Sequence, residues 1–314
     1  MAIRIFIAFL FLLQANIALA VQFTIMGDMP YGSDSQTLEK YNSLIRLINS
    51  TSSEFAVHVG DIKSGSSTCS DETFQTQKEF FLKIDKPFIY TPGDNEWTDC
   101  SRLSNGSFDP FERLDKIRKI FFDAQYFNNN KKIGLVNQSE FGKHPLFIEN
   151  QQWIVDNTLF ITIHIVGSNN NLGARGTKSS QSFLARNKAN QDWLSRSFEK
   201  LKTESRDALV IIFHADPFTD WFTPNPTKLG TGFTEILEDT LLPLGLTTDK
   251  PIFVFHGDTH IFRQDRPFVY RGAPVKHIQR IVVPGAADMR ALFVDIEPNR
   301  NPMIKIEPIS ANWY

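Results

Sequence analysis

Four Gly-Asp pairs constrain this chain more than any other feature. "FTIMGD" ends at Asp28, "FAVHVGD" at Asp61, "FIYTPGD" at Asp94 and "FVFHGD" at Asp258. With 17 glycines among 314 residues, chance would place about one such pair in a chain of this composition. Each pair follows a short run rich in Phe, Ile and Val, the pattern of a buried strand. If those strands are parallel, the loops at their carboxyl ends lie along one sheet edge. Gly permits the sharp turn and Asp then projects at the strand tip. The four aspartates are therefore expected to converge, joined by His214 at the end of "ALVIIFH" and by His260 just past Asp258.

The segments between the runs supply the crossovers that parallel pairing needs. Residues 36–49 place Leu38, Tyr41, Leu44, Ile45 and Ile48 on one helical face. Residues 72–83 form a shorter candidate helix. A third starts with Asp109 as N-cap, Pro110 at the first position and Glu112 three residues after the cap. A fourth, around 186–202 with Trp193 and Leu194, feeds the strand before His214. Strand, helix, strand at this spacing predicts a parallel sheet. "QWIV" and "TLFITIHIV", flanking Asp156-Asn157-Thr158, predict an antiparallel hairpin. "RIVVP", "ALFVDI" and "MIKIE" read as a second sheet, and "FNNNKK" as a surface loop. No composition shift divides the chain, so a single α/β domain with two sheets is expected over residues 21–314.

The first 20 residues read as a cleaved secretory signal. Arg4 precedes a nine-residue apolar core, and "ALA" ending at Ala20 is a small-residue cleavage site. That core is far below the roughly 18 residues of a membrane span. A soluble product, secreted or periplasmic, with no membrane span after cleavage is expected. Net charge is −2 with acids and bases well mixed, which gives no electrostatic case for nucleic acid or anionic membranes. The two cysteines, Cys69 and Cys100, each lie a few residues past a strand-ending Asp. In an exported chain they are expected to bond.

Carboxylates that point at one another repel unless a cation neutralises them. Mixed carboxylate and imidazole donors suit Zn, Fe or Mn better than Ca or Mg. A serine esterase of the Gly-Asp-Ser type is excluded: Met29 follows the first Gly-Asp, and no Gly-x-Ser-x-Gly elbow is present. His58 and His164 sit inside apolar strands and read as core residues, while His144 and His277 read as surface ones. "GSNNN" at 167–171 follows a strand and is a candidate for hydrogen bonding a substrate phosphate, or an ordinary polar turn. "DPFTDWFTPNP" at 216–226 is a candidate wall for an apolar part of a substrate, or packs onto the sheet. Lys63 and Arg102 are read as solvated charges near the motifs.

The series "GDMP", "GDIKS", "GDNE", "FHADP", "GDTH" resembles the motif order of the calcineurin-like metallophosphoesterases, from Gly27 to His260. "GDNEWTDC" in particular is similar to an exported branch of that family. The resemblance implies a two-sheet α/β sandwich with mixed sheets and flanking helices. It also implies two divalent cations, a small phosphate mono- or diester as substrate, and hydrolysis by metal-activated hydroxide. Carried over by position, Asp61 matches the carboxylate that bridges two metals, and Asp28 and His260 match ligands of the first. Asp94, His214 and Asp258 would serve the second. The chain departs from the pattern at Pro30, which stands for a His ligand, and at Ser64, which stands for an Asp. Asn95 stands where the family has the His that helps protonate the leaving group; Glu96 or His256 is a candidate replacement. These departures keep a second reading open, a metal-degenerate relative that binds a ligand or partner without turnover.

Overall fold

The computed structural model describes residues 20–122 and 128–311, so all of the expected signal segment except Ala20 lies outside the described residues. Along the chain run β1 (Val21–Met26), α1 (Ser35–Ser50), β2 (Phe55–His58), α2 (Asp71–Phe81), β3 (Phe88–Tyr90) and α3 (Pro110–Phe121). Next come β4 (Val136–Asn137), β5 (Gln151–Val155), β6 (Thr158–Thr162), the long helix α4 (Lys178–Thr203), β7 (Ala208–Ile212) and β8 (Ile252–His256). The last strands are β9 (Arg263–Asp265), β10 (Val269–Tyr270), β11 (Ala273–Pro274), β12 (Ile278–Val282), β13 (Ala291–Ile296) and β14 (Ile304–Ile309).

The helices begin where their caps say they should. Asp34, Ser70 and Asp109 each turn a side-chain oxygen onto free backbone N–H groups of the first turn. Helix α4 starts eight residues before the expected position because Thr177 caps it, its side chain accepting from Ser180 N. Its first two turns are too polar for the apolar period to register. Asn128–Ile133 forms a turn of 3-10 helix, and the Asn130 side chain brackets the Phe88 backbone at both N–H and C=O.

Two large mixed sheets result. One has the order β14-β13-β1-β2-β3, the other β4-β5-β6-β7-β8-β12-β9. Strands β1, β2 and β3 are parallel, as are β6, β7, β8 and β12. The β5–β6 hairpin is antiparallel as its turn residues imply. The three C-terminal segments, by contrast, do not form a sheet of their own. Strand β12 is fully buried and pairs parallel with β8, whereas β13 pairs antiparallel with β1 in the other sheet. The chain crosses between sheets at residues 283–290, and short apolar strands carry no signal of which sheet edge they join.

The sheets face each other across an aromatic core. Phe23 of β1 stacks on Phe55 of β2 at 5.1 Å, and both rings meet Phe160 of β6 edge-on. Full burial of each such side chain contributes about 1.5–3 kcal/mol. Two outer cores pack α1–α3 on the first sheet and α4 on the second. Among the described residues no helix is long and apolar enough to cross a membrane. Face-to-face packing brings the carboxyl ends of β1, β2, β3, β7 and β8 to a common edge.

Candidate metal centre

The strand-end turns are unusual in their backbone. Asp28, Asp61, Asp258 and His260 all have left-handed φ, at 54°, 54°, 74° and 64°. For non-glycine residues this costs about 1–3 kcal/mol each and clusters at functional sites. Close packing of the turns fixes two glycines. Gly60 has φ 99°, and a Cβ there would lie 2.4 Å from Gly93 N. A Cβ at Gly257 would lie 2.3 Å from Asp28 Oδ2. Only bare backbone lets the loops approach so closely.

The side chains gather into two overlapping groups. Asp28, Asp61 and His214 offer ligand atoms within 4.8 Å of one another, as do Asp94, His214 and Asp258. His214, not Asp61, is the member common to both. Its Nδ1 lies 2.9 Å from the Val59 carbonyl oxygen, to which it donates. That bond directs Nε2 to 3.1 Å from Asp94 Oδ1 and 3.4 Å from Asp61 Oδ1, the orientation that metal-binding imidazoles take. His260 stands at the rim, its half-buried ring bringing Nε2 to 3.5 Å from Asp28 Oδ1. Asp28 also accepts from Asp258 N at 3.1 Å, which joins the first and last motifs directly.

The electrostatics are those of carboxylates short of cations. Burial, reinforced by Asp94, Glu96 and Asp28 against the pull of His214, raises the Asp61 carboxyl well above its usual range. Burial and Asp94 push Asp258 up to about 7. Burial acts against a charged His214, but Asp61, Asp94, Asp28 and Asp258 outweigh it and hold its pKa well above the ordinary value. Asp94, against its own burial, is held low by the His214 hydrogen bond and charge and by Ser168. Lys63 turns Nζ to the Ser64 carbonyl, and burial lowers its pKa. It is buried rather than solvated. Donor chemistry, convergence and Cβ-free turns together fit divalent cations.

Three comparisons with solved structures bear on this arrangement. A dimetal phosphatase of Danio rerio matches with a TM-score of 0.53 and 11% identity, covering 93% of this chain and 99% of the other. The 5'-nucleotidase of Candida albicans matches at 0.52 and 10% identity, covering 93% of this chain and 51% of that one. A purple acid phosphatase of yellow lupin matches at 0.52 and 11% identity, with 95% and 53% covered. The chain thus spans about half the length of the latter two. The likeness is one of fold: two mixed sheets flanked by helices, shared with these phosphatases. No family model matches the sequence, and no curated protein matches it.

Within that fold, Tyr31 and Asn95 form a pair of side chains at the positions where the motifs depart. Asn95 donates from its backbone N to Asp61 Oδ1 and from Nδ2 to Asp61 Oδ2, at 3.0 and 2.5 Å. Tyr31, next to Pro30, donates its hydroxyl to the same Oδ2 at 3.0 Å and lies 3.4 Å from His260 Nε2. Sequence reasoning missed Tyr31, although it stands directly beside the first altered motif position. Ser168 donates to Asp94 Oδ2 at 2.9 Å and to Asp99 Oδ1 at 3.2 Å. The "GSNNN" segment therefore reaches a candidate ligand.

The two candidate proton donors stand elsewhere. Glu96 is fully buried, and its Oε1 accepts from Asp61 N, Gly93 N and Tyr90 Oη. It ties the second and third motif loops together. His256 is fully buried and stacked on Phe213 at 5.7 Å; its Nδ1 faces the Gly257 carbonyl. Burial drops its pKa to about 3, so the ring is neutral rather than an imidazolium acid near neutrality. Both correct the expectation of a donor facing substrate. Cys69 and Cys100 are bonded with Cα atoms 5.7 Å apart, joining the loops that follow Asp61 and Asp94.

Proposed function

We propose that this chain is a single-domain, metal-dependent phosphoesterase that hydrolyses a small phosphate mono- or diester. The carrying observation is the convergence of Asp28, Asp61, Asp94, Asp258 and His214 from five separated strand ends into two groups that share His214. Asp28 and Asp61, with His260 at the rim, would hold one cation, and Asp94 and Asp258 the other; His214 lies between the groups and, with Nδ1 committed to Val59, offers Nε2 to one of them. When bound, the pair supplies Lewis acidity at the phosphoryl oxygens and lowers the pKa of water.

The chain's own residues do the rest. The Val59 carbonyl fixes the His214 tautomer, Glu96 sets the spacing of the Asp61 and Asp94 loops, and Ser168 orients Asp94. Asn95 and Tyr31 hold Asp61 from both of its oxygens. Asn95 has no titratable proton, so its part is orientation rather than acid catalysis. The Cys69–Cys100 bond requires an oxidising compartment, which supports an exported location.

Metal analysis of the purified protein, followed by chromogenic mono- and diester assays with and without chelator, tests the reading. Metal-dependent turnover supports it. Bound metal without turnover of any ester supports instead the binding relative, which Asn95 in place of a His favours.

A further inference from the structure

A cavity of about 360 Å³ opens beside Asp258, within the size range of small-molecule sites, about 300–1,000 Å³. One side carries Asp258, Asp216 and Ser168; the other carries Phe218, Leu229 and Phe233. The acidic side is continuous with the candidate metal groups. Asp216 N donates to Asp258 Oδ2 at 3.0 Å, and Ser168 Oγ reaches Asp94. A phosphate placed on those groups would direct its ester substituent into this space.

The cavity is built rather than left over. Its floor is the turn Ser168–Asn171, four successive left-handed residues with φ between 51° and 55°. Asn169 Oδ1 accepts from Gly232 N at 2.9 Å, and Asn170 Nδ2 donates to the Gly232 carbonyl at 3.0 Å, which fastens the floor to the wall. The Phe218 ring is fixed under the Arg280 guanidinium at 4.8 Å and beside Phe268. Among the described residues lining it there is no Lys, Arg or His. A second phosphate would find no cationic side chain in this lining, while the Asp216 carboxylate, held by Arg280 Nη1 at 3.5 Å, accepts from hydroxyl groups.

We propose that this cavity is the subsite for the leaving alcohol of the proposed phosphoesterase, and that it selects an uncharged, ring-bearing alcohol carrying a single phosphate. The inference rests on the phosphoesterase reading. Substrates of this chemistry include aryl and nucleoside monophosphates; nucleoside diphosphates and short alkyl phosphates do not share it.

The test compares kcat/KM of the metal-loaded protein for a nucleoside 5'-monophosphate, its diphosphate, phenyl phosphate and ethyl phosphate. The nucleoside monophosphate and ethyl phosphate both leave as primary alcohols, so their ratio reports binding of the ring. We expect at least tenfold preference for the monophosphate over both ethyl phosphate and the diphosphate. Leu229→Trp, which fills the cavity from a half-buried wall position, should raise KM for the nucleoside monophosphate about tenfold more than for ethyl phosphate. Thr231→Trp, at the exposed rim, provides a second variant if the first folds poorly. A lower KM for phenyl phosphate than for the nucleoside ester marks a bare aryl ring as the favoured group, and the reverse marks a nucleoside. Equal use of ethyl and nucleoside esters, or equal effects of the Trp variants on both, overturns the subsite. Absence of hydrolysis of every ester, phenyl phosphate included, overturns the phosphoesterase reading itself.

Discussion

Tyr31 donates its hydroxyl to Asp61 Oδ2 at 3.0 Å while Asn95 Nδ2 donates to the same phenolic oxygen at 3.1 Å. Burial first, then the charge of Asp61, holds the phenol far above its ordinary pKa, so it remains a proton donor. An intramolecular hydrogen bond contributes about 0.5–1.5 kcal/mol net. Tyr31→Phe should therefore lower the stability of the metal-free protein by that amount in urea unfolding. An unchanged midpoint would show that Asp61 does not depend on the phenol.

The metal-free protein should lose stability as pH rises above 6.5. Asp258 at about 7, and Asp61 and His214 both raised well above their ordinary values, bind more protons folded than unfolded. A raised folded pKa stabilises below the unfolded value and loses that contribution as pH climbs through the folded one. His58 at about 3, His164 at about 4 and His256 at about 3 have the opposite sign. They are neutral in both states above the ordinary histidine pKa of about 6.5, so they no longer oppose the trend. Divalent cations should reverse the slope, because ligation competes with protons. Thermal unfolding from pH 6.5 to 8.5, with chelator and with metal, measures both; a rising chelated curve would contradict the assignment.

Reduction of Cys69–Cys100, or the double Ser variant, should cost about 3–4 kcal/mol for a closed loop of 31 residues. It should also weaken metal retention, since the bond ties the loops after Asp61 and Asp94. Equal stability of oxidised and reduced protein would remove the bond from the account.

His256→Ala should separate structure from chemistry. Removing a fully buried ring stacked on Phe213 should cost about 2–4 kcal/mol through the cavity it leaves. Metal content should be unchanged, because the imidazole faces its own strand end rather than the acidic groups. Loss of metal with no loss of stability would reverse these roles.

Much of this was legible because Gly-Asp after an apolar run encodes both a strand and the direction of its tip. Asp28, Asp61, Asp94, His214 and Asp258 converge for that reason. What the sequence could not give was contact across motifs. Glu96 looks like a candidate acid in "GDNE", and only the fold shows its Oε1 already accepting from Asp61, Gly93 and Tyr90. Tyr31 carries no periodic signal, and its reach to Asp61 depends on how the first two loops dock. The three C-terminal segments read as one sheet, yet β12 joins β8 and β13 joins β1, because apolar runs fit either edge and pairing is decided by the crossing at residues 283–290.

The central claim is that strand-ending aspartates from both sheets hold cations for phosphate ester hydrolysis. Asp61→Asn tests it most directly: the change preserves shape but removes charge from the residue that Tyr31, Asn95 and His214 all surround. Metal stoichiometry by elemental analysis and ester hydrolysis should be measured on the same preparation. Both should fall together, turnover by about a hundredfold or more if some 2.7 kcal/mol of transition-state stabilisation is lost. Full metal occupancy with undiminished hydrolysis in Asp61→Asn would contradict the account.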